Sequence, residues 1–264
     1  MKLWLRTNGW DRLARELDLW GAARAVASFW WRDDDAVQPT PQLDELLGRA
    51  GRVPLALSVI PAKATEALAG RLRGEATVCV LQHGWRHESH VERRVDEYPA
   101  HRPAAEVAAE LSAGRRRLGS LFGEQSIPVF VPPAHAFHTG FLPLLRRSGL
   151  AAISRKGARP SRLAAEGLVQ ANVHVAPIRW GDPASFDDDR YLGQFIDHLR
   201  RRRRGRCDAE EPTGLLTHHL DQRSQSFEFI SRLAALVSDH PSACWVDPRG
   251  VFGAPALAGL DAAR

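Results

Sequence analysis

Residues 32–36 read Arg-Asp-Asp-Asp-Ala, so Asp33, Asp34 and Asp35 follow Arg32 without a spacer. Residues 78–90, VCVLQHGWRHESH, run from an apolar stretch straight into His83, His87 and His90. Three adjacent carboxylates repel one another and resist burial. A bare surface turn would hold them, and so would a divalent cation, which offsets like charges and takes one carboxylate as a ligand. Two neutral imidazoles with one carboxylate suit Zn²⁺, Co²⁺, Fe²⁺ or Mn²⁺ and leave coordination positions open for water and substrate. Neither segment alone is a strong signal. Together, at the ends of different strands, they point to one metal centre.

The other histidines follow the same habit. Of the 11 in the chain, eight lie at or just beyond an apolar run: His83, His87, His90, His135 and His138 of VPPAHAFH, His174 of NVHV, and His218–His219. Strand alternation sends His218 and His219 to opposite faces, so one of them is expected at the site. His174 and Trp180, in NVHVAPIRWGD, are candidates for lining a pocket, the indole being a natural stacking surface for a sugar.

These residues need a scaffold that brings strand ends together. Apolar runs at 25–31, 53–60, 77–82, 128–132, 150–154, 168–175, 213–219 and 243–247 read as strands, and helical stretches at 41–51, 104–123 and 226–240 separate some of them. Near-continuous apolar strands alternating with amphipathic helices make a parallel sheet covered outside by helices. The expected class is α/β, a distorted (β/α) barrel of about seven strands, as a single domain over 1–264 with its core at about 25–250. An open doubly wound sheet is the alternative, but no glycine-rich phosphate loop follows the first strand. In parallel barrels the chemistry sits at the carboxyl ends of the strands, where the Asp and His residues lie.

Composition narrows the rest. Three cysteines, Cys79, Cys207 and Cys244, are far apart and have no CxxC spacing, so neither a thiolate zinc site nor a disulfide framework is suggested. No apolar run approaches the ~20 residues of a membrane span. The first residues carry charges throughout and lack the apolar core of a secretory signal, so a cytoplasmic protein is expected. The net charge of +5 is concentrated in the arginines of 199–206, read as a solvated helix end because no aromatic residues interleave with them. Nucleic acid is therefore not an expected partner.

The segments RDDDA, HGWRH (83–87) and LTH (216–218) occur in the order and spacing of the polysaccharide deacetylase, or NodB-homology, carbohydrate esterases. Those read Thr-Phe-Asp-Asp-Gly, His-Ser/Thr-x-x-His and Leu-x-His, and the resemblance covers about residues 25–220. It implies the (β/α) barrel, one divalent ion, most simply Zn²⁺, and removal of an acetyl group from an N-acetylated carbohydrate. His83 and His87 would be ligands together with one Asp. The preceding Asp would be the general base, and His218 the general acid. Three registers fit: Asp34 base with Asp35 ligand, which is preferred because small Ala36 follows; Asp33 with Asp34; and Asp33 with Asp35. The family's base-orienting arginine is absent before the Pro pair of FVPPAHAFH. Arg32, His135 or His138 would have to replace it, and otherwise the chain would be an inactive carbohydrate-binding relative.

Overall fold

The structure, a computed structural model, describes residues 8–92, 95–178 and 186–253. Six strands lie in parallel side by side: β1 (Ala27–Ala36), β2 (Leu55–Val59), β3 (Val78–His83), β4 (Ser126–Val131), β5 (Ala152–Ile153) and β8 (Thr213–Thr217). β8 pairs with the outer edge of β1, and β7 (Leu168–Gln170) continues the row beyond β5, with β6 (Leu163–Ala165) antiparallel to it. β9 (Ala243–Trp245) pairs with the start of β1.

Nine strands are thus named among the described residues, against about seven expected. The strand outside the expected runs is β6, and the run 168–175 also departs from expectation. Only Leu168–Gln170 is regular, and the chain then leaves the ladder. Residues 172–175 cross to β8 instead. His174 and Val175 donate their N–H groups to Gly214 O at 2.8 and 3.1 Å, and Leu216 donates to Val175 O at 2.8 Å. On the other side Val173 donates to Arg155 O. This irregular seam joins β5 to β8 and completes the ring.

Alternation along β1 sorts its side chains into two cores. Phe29 and Trp31 pack outward under the helices, with Leu57 and Val80. Trp30 packs inward with Ala56, Cys79, Leu81, Val129 and Leu216. Cys79 is therefore an interior hydrophobe, its thiol pushed up to about 12 by burial.

The helices around the sheet include α1 (Gly9–Ala22), α2 (Pro41–Ala50), α3 (Glu66–Leu72), α4 (Ala104–Phe122), α5 (Leu142–Arg147), α6 (Asp188–Arg203) and α7 (Ser224–Asp239). Thr40 caps α2 through Leu43 N–H, with Pro41 in the first turn, where its missing N–H costs nothing. Among the described residues no helix is long and apolar enough to cross a membrane.

The arginine run departs from a solvated helix end. It closes α6, and the helical period turns part of it onto α1. Arg202 is buried, with its guanidinium 4.9 Å from the Trp20 ring centroid, and it donates to Ser28 O and Oγ and to Thr213 Oγ1. Arg203 and Arg200 lie 2.9 and 3.6 Å from the carboxylate of buried Glu16 on α1. Arg201 and Arg204 remain exposed.

Gly214 allows the seam to close. A Cβ there would lie 2.6 Å from Asn172 O and Trp30 Nε1 and 2.7 Å from Val173 Cα. Gly214→Ala should therefore lower the unfolding free energy by about 1–3 kcal/mol in urea titrations. Gly48→Ala, at a helical site with nothing within 4 Å, should be neutral or stabilising. Equal effects at the two positions would contradict this account of the seam.

Candidate metal centre

Asp34 and Asp35 are consecutive, yet both serve the interior of the ring. Arg32 and Asp34 continue the inward set begun by Trp30, whereas Asp33 continues the outward set. The alternation then breaks. Asp35 has φ +74°, and the β1–β2 register shifts between Asp33 and Ala36. This left-handed residue turns the third carboxylate towards β3.

There Asp35 Oδ1 lies 3.0 Å from His83 Nε2 and 3.3 Å from His87 Nε2. One ligand atom from each of the three residues lies within 4.8 Å of the others. His83 ends β3 and is buried, with Nδ1 3.0 Å from Val131 O. A carbonyl oxygen only accepts, so Nδ1 carries the proton, and a neutral His83 presents a lone pair at Nε2. That lone pair faces a buried carboxylate oxygen with no hydrogen-bond partner. At this distance the pair needs either a proton on Nε2 or a cation between the two atoms. The donor set of two imidazoles and a carboxylate fits a divalent ion of the zinc type.

The two imidazoles differ in their electrostatics. Burial lowers His83, but Asp34 and Asp35 outweigh it and raise the group above the usual histidine value. His87 is lowered, by burial first and then by His83 and Lys63, which favours its neutral form. His87 also has φ +57°, so two of the three clustered residues sit in the left-handed region that side chains with a Cβ rarely adopt.

Asp34 is held by Arg32. Nε and Nη2 each donate to one carboxylate oxygen at 2.9 Å, a bidentate pair, while Nη1 spans the ring to Ser154 Oγ at 2.7 Å and Ser154 O at 3.2 Å. Burial would raise Asp34, but Arg32, with His83, His218 and His135 adding to it, leaves the carboxyl well below the usual range. Arg32 lies two residues from Asp34 along β1, the spacing that places both on one face. His135 makes no hydrogen bond to Asp34. Its imidazole is pushed down to about 3 by burial and then by Arg32.

Asp33 belongs to a different group. Its Oδ1 accepts from Thr217 Oγ1 at 2.7 Å and from His219 N–H at 3.0 Å, and its Oδ2 is 2.5 Å from His219 Nδ1. Trp31 Nε1 donates to the same Thr217 hydroxyl. Asp33 is thus bonded on the outward face, apart from the Asp35–His83–His87 cluster. Alternation along 216–219 turns Leu216 inward and Thr217 outward with Asp33, and His218 then comes within electrostatic reach of Asp34. His90 is exposed, and its N–H donates to Asp96 O. His138 is exposed and lies against Phe141, away from the carboxylates.

His174 does not line this site. It faces α6, its ring stacked on His198 at 3.5 Å and its Nε2 3.4 Å from Glu211 Oε2. Those three residues also bring ligand-type atoms together. However, Nδ1 of His174 accepts Gly214 N–H at 2.9 Å, so a neutral ring carries its proton on Nε2 and has no lone pair for a metal. Glu211 is committed as well, accepting N–H bonds from Asn172 and Arg159. Trp180 lies outside the described residues.

The residue missed in the sequence is Glu97, buried beside the 83–87 loop and accepting N–H bonds from Trp85, Arg86 and His87. The only hint was Gly84, standing where the related motif has Ser or Thr.

Comparison with solved structures gives the fold a context. The peptidoglycan N-acetylglucosamine deacetylase Bc1960, solved with 4-naphthalen-1-yl-N-oxidanyl-benzamide, aligns at TM-score 0.55 and 14% identity, over 89% of this chain and 96% of its own. A CE4 esterase of Streptococcus mutans aligns at TM-score 0.55 and 13% identity, over 90% of both chains. A mutant of BA3943, a CE4 family pseudoenzyme with restored activity, aligns at TM-score 0.55 and 14% identity, over 86% of this chain and 68% of its own. No family model matches the chain, and no curated protein matches it. The chain therefore has the NodB-type (β/α)-barrel fold of these deacetylases.

Two measurements test this geometry. Arg32→Met leaves a buried carboxylate without its partner and should cost about 3–5 kcal/mol of unfolding free energy, part of it recovered in Arg32→Met/Asp34→Asn. A loss below about 1 kcal/mol would mean that Asp34 is solvated. The second is acid stability. His198 is pushed down to about 2, by burial first and then by His174 and Arg202. Its folded value lies below the unfolded one, so its contribution is complete above about pH 6.5 and is lost as pH falls from there towards 2, at no more than about 1.4 kcal/mol per pH unit. His198→Phe should flatten that acid limb, and an unchanged limb would contradict the assignment.

Proposed function

We propose that the chain is a metal-dependent hydrolase that removes an N-linked acetyl group from an amino sugar or glycoconjugate. The observation that carries this reading is the convergence of Asp35, His83 and His87 beside an Asp34 clamped by Arg32. The fold shared with Bc1960, named as a peptidoglycan N-acetylglucosamine deacetylase, supports the substrate class.

In this reading Asp35, His83 and His87 hold one divalent ion, most simply Zn²⁺, with Co²⁺, Fe²⁺ or Mn²⁺ as alternatives. The ion supplies Lewis acidity towards a water molecule and the amide carbonyl. Asp34 takes the proton of the attacking water as its oxygen adds to the carbonyl carbon. Arg32 keeps that carboxylate ionised and fixes its direction. Such a firmly held carboxylate is a weak base, so most of the drive must come from the acidity of the water. His218 delivers a proton to the departing nitrogen as the C–N bond breaks, leaving acetate and a free amine. Because Arg32 fills the role of the missing motif arginine, the inactive carbohydrate-binding alternative loses its main motive.

The test is elemental analysis of untagged protein together with acetate release from N-acetylglucosamine oligosaccharides. Wild type should carry about one divalent ion per chain, and His83→Ala/His87→Ala none. Asp34→Asn and His218→Ala should keep the ion and lose roughly 10²–10⁴-fold in turnover. An ion bound with no acetate released from any N-acetyl sugar would sink the substrate assignment. No ion, even after reconstitution with Zn²⁺, Co²⁺ or Mn²⁺, would sink the metal reading itself.

A further inference from the structure

We propose that Glu97 is the positioning residue that sets the 83–87 loop in its ligand-holding shape, and that residue 84 is glycine to admit the Glu97 carboxylate. The proposal rests on the metal-centre reading above. Glu97 Oε1 accepts N–H bonds from Arg86 at 2.7 Å, His87 at 3.2 Å and Trp85 at 3.3 Å, and Oε2 accepts from Trp85 at 3.2 Å. Three successive backbone N–H groups thus converge on one side chain, the concave arrangement by which a backbone binds an anion. Here the anion is built into the chain, and it is buried.

The convergence explains a conformation that is otherwise unfavourable. His87 at φ +57° lies in a region that side chains with a Cβ rarely adopt, and such a conformation persists only where its surroundings over-determine it. Its own N–H is one of the three bonds to Glu97, so the carboxylate acts at the strained residue itself. The strain turns the imidazole back to 3.3 Å from Asp35 Oδ1.

Gly84 is the other half of the device. With φ +59° it also lies in the left-handed region, and a Cβ there would lie 2.0 Å from Glu97 Oε2 and 2.7 Å from Pro133 Cγ. A side chain at 84 and a carboxylate from 97 exclude each other. The far end of Glu97 is anchored too. Its carbonyl accepts from Arg102 Nη1 at 3.2 Å, and Arg102 is clamped to Glu110 of α4 at 2.7 and 2.9 Å. The loop is thereby tied to a helix.

Glu97→Gln keeps the shape but sets an NH₂ group against a backbone N–H. The experiment is Co²⁺ titration of the metal-free full chain, followed by its visible absorption, with amide hydrogen exchange on the same proteins. Glu97→Gln should retain the wild-type circular dichroism, bind Co²⁺ about 10–100-fold more weakly, and exchange the amides of residues 85–87 faster. In a His87→Ala background the same substitution should cost nothing further, because Glu97 acts through His87. Gly84→Ala, which leaves Glu97 in the chain but displaces it, should reproduce the Co²⁺ loss and keeps the test open should the Gln variant fail to fold. Unchanged Co²⁺ affinity in either variant, or a full additional loss in the His87→Ala background, overturns the proposal. If wild type binds no Co²⁺, the metal reading falls by itself and amide exchange decides on Glu97. Faster exchange at 85–87 then supports its hold on the loop, and unchanged exchange overturns it.

Discussion

A β-strand offers each face only every second residue, and this site needs two successive carboxylates on the same side. Regular alternation would put Asp34 inside the ring and Asp35 outside it. The left-handed turn at Asp35 removes that conflict and breaks the β1–β2 register as it does so. Without the break, Asp35 could not meet His83 and His87, and the ring would hold one clamped aspartate with no partner cluster. The strain at Asp35 and at His87 faces the same small volume. Two unfavourable backbone states are thus concentrated at one spot.

The remaining charge is neutralised by direction. Facing inward, Asp34 meets a guanidinium that also reaches Ser154 beyond β5. Facing outward, Asp33 meets Thr217 and His219. Three adjacent carboxylates are tolerable because each faces a different set of groups, with Asp35 Oδ1 set against the imidazoles of His83 and His87. Buried pairs of this kind add little net stability over well-packed apolar side chains. Their effect is geometric: they fix where a carboxylate can and cannot point.

Much of this was legible in the residues. The order of strands and helices, the parallel barrel, and the joint appearance of an Asp cluster and a His pair at strand ends all follow from periodicity and spacing. The choice among the three aspartates was not legible, because it depends on one positive φ that no residue type announces. The sequence offers Arg32, His135 and His138 alike as replacements for the related motif's arginine. Two residues along a strand is the spacing that shares a face, and this singles out Arg32 as the partner of Asp34. His174 looked like a pocket residue because it ends an apolar run, but that run leaves its ladder at Gln170 and turns the imidazole towards α6. Glu97 lies in a loop without periodicity, and its bonds are to backbone, so no side-chain pattern could reveal it. The arginine run misled in the opposite sense: a block of charge looks solvated until the helical period assigns Arg202 to a buried position.

The seam at 172–175 gives the barrel an uneven mechanical character. From β5 through β4, β3 and β2 to β1 the strands form a continuous parallel row, whereas the return from β5 to β8 is held by a few bonds around Gly214 and Val175. Local opening is easiest where regular pairing is sparse. The ring therefore behaves less like a rigid pipe than like a cuff with a clasp. His218, just beyond β8, sits on the strand that adjoins the clasp.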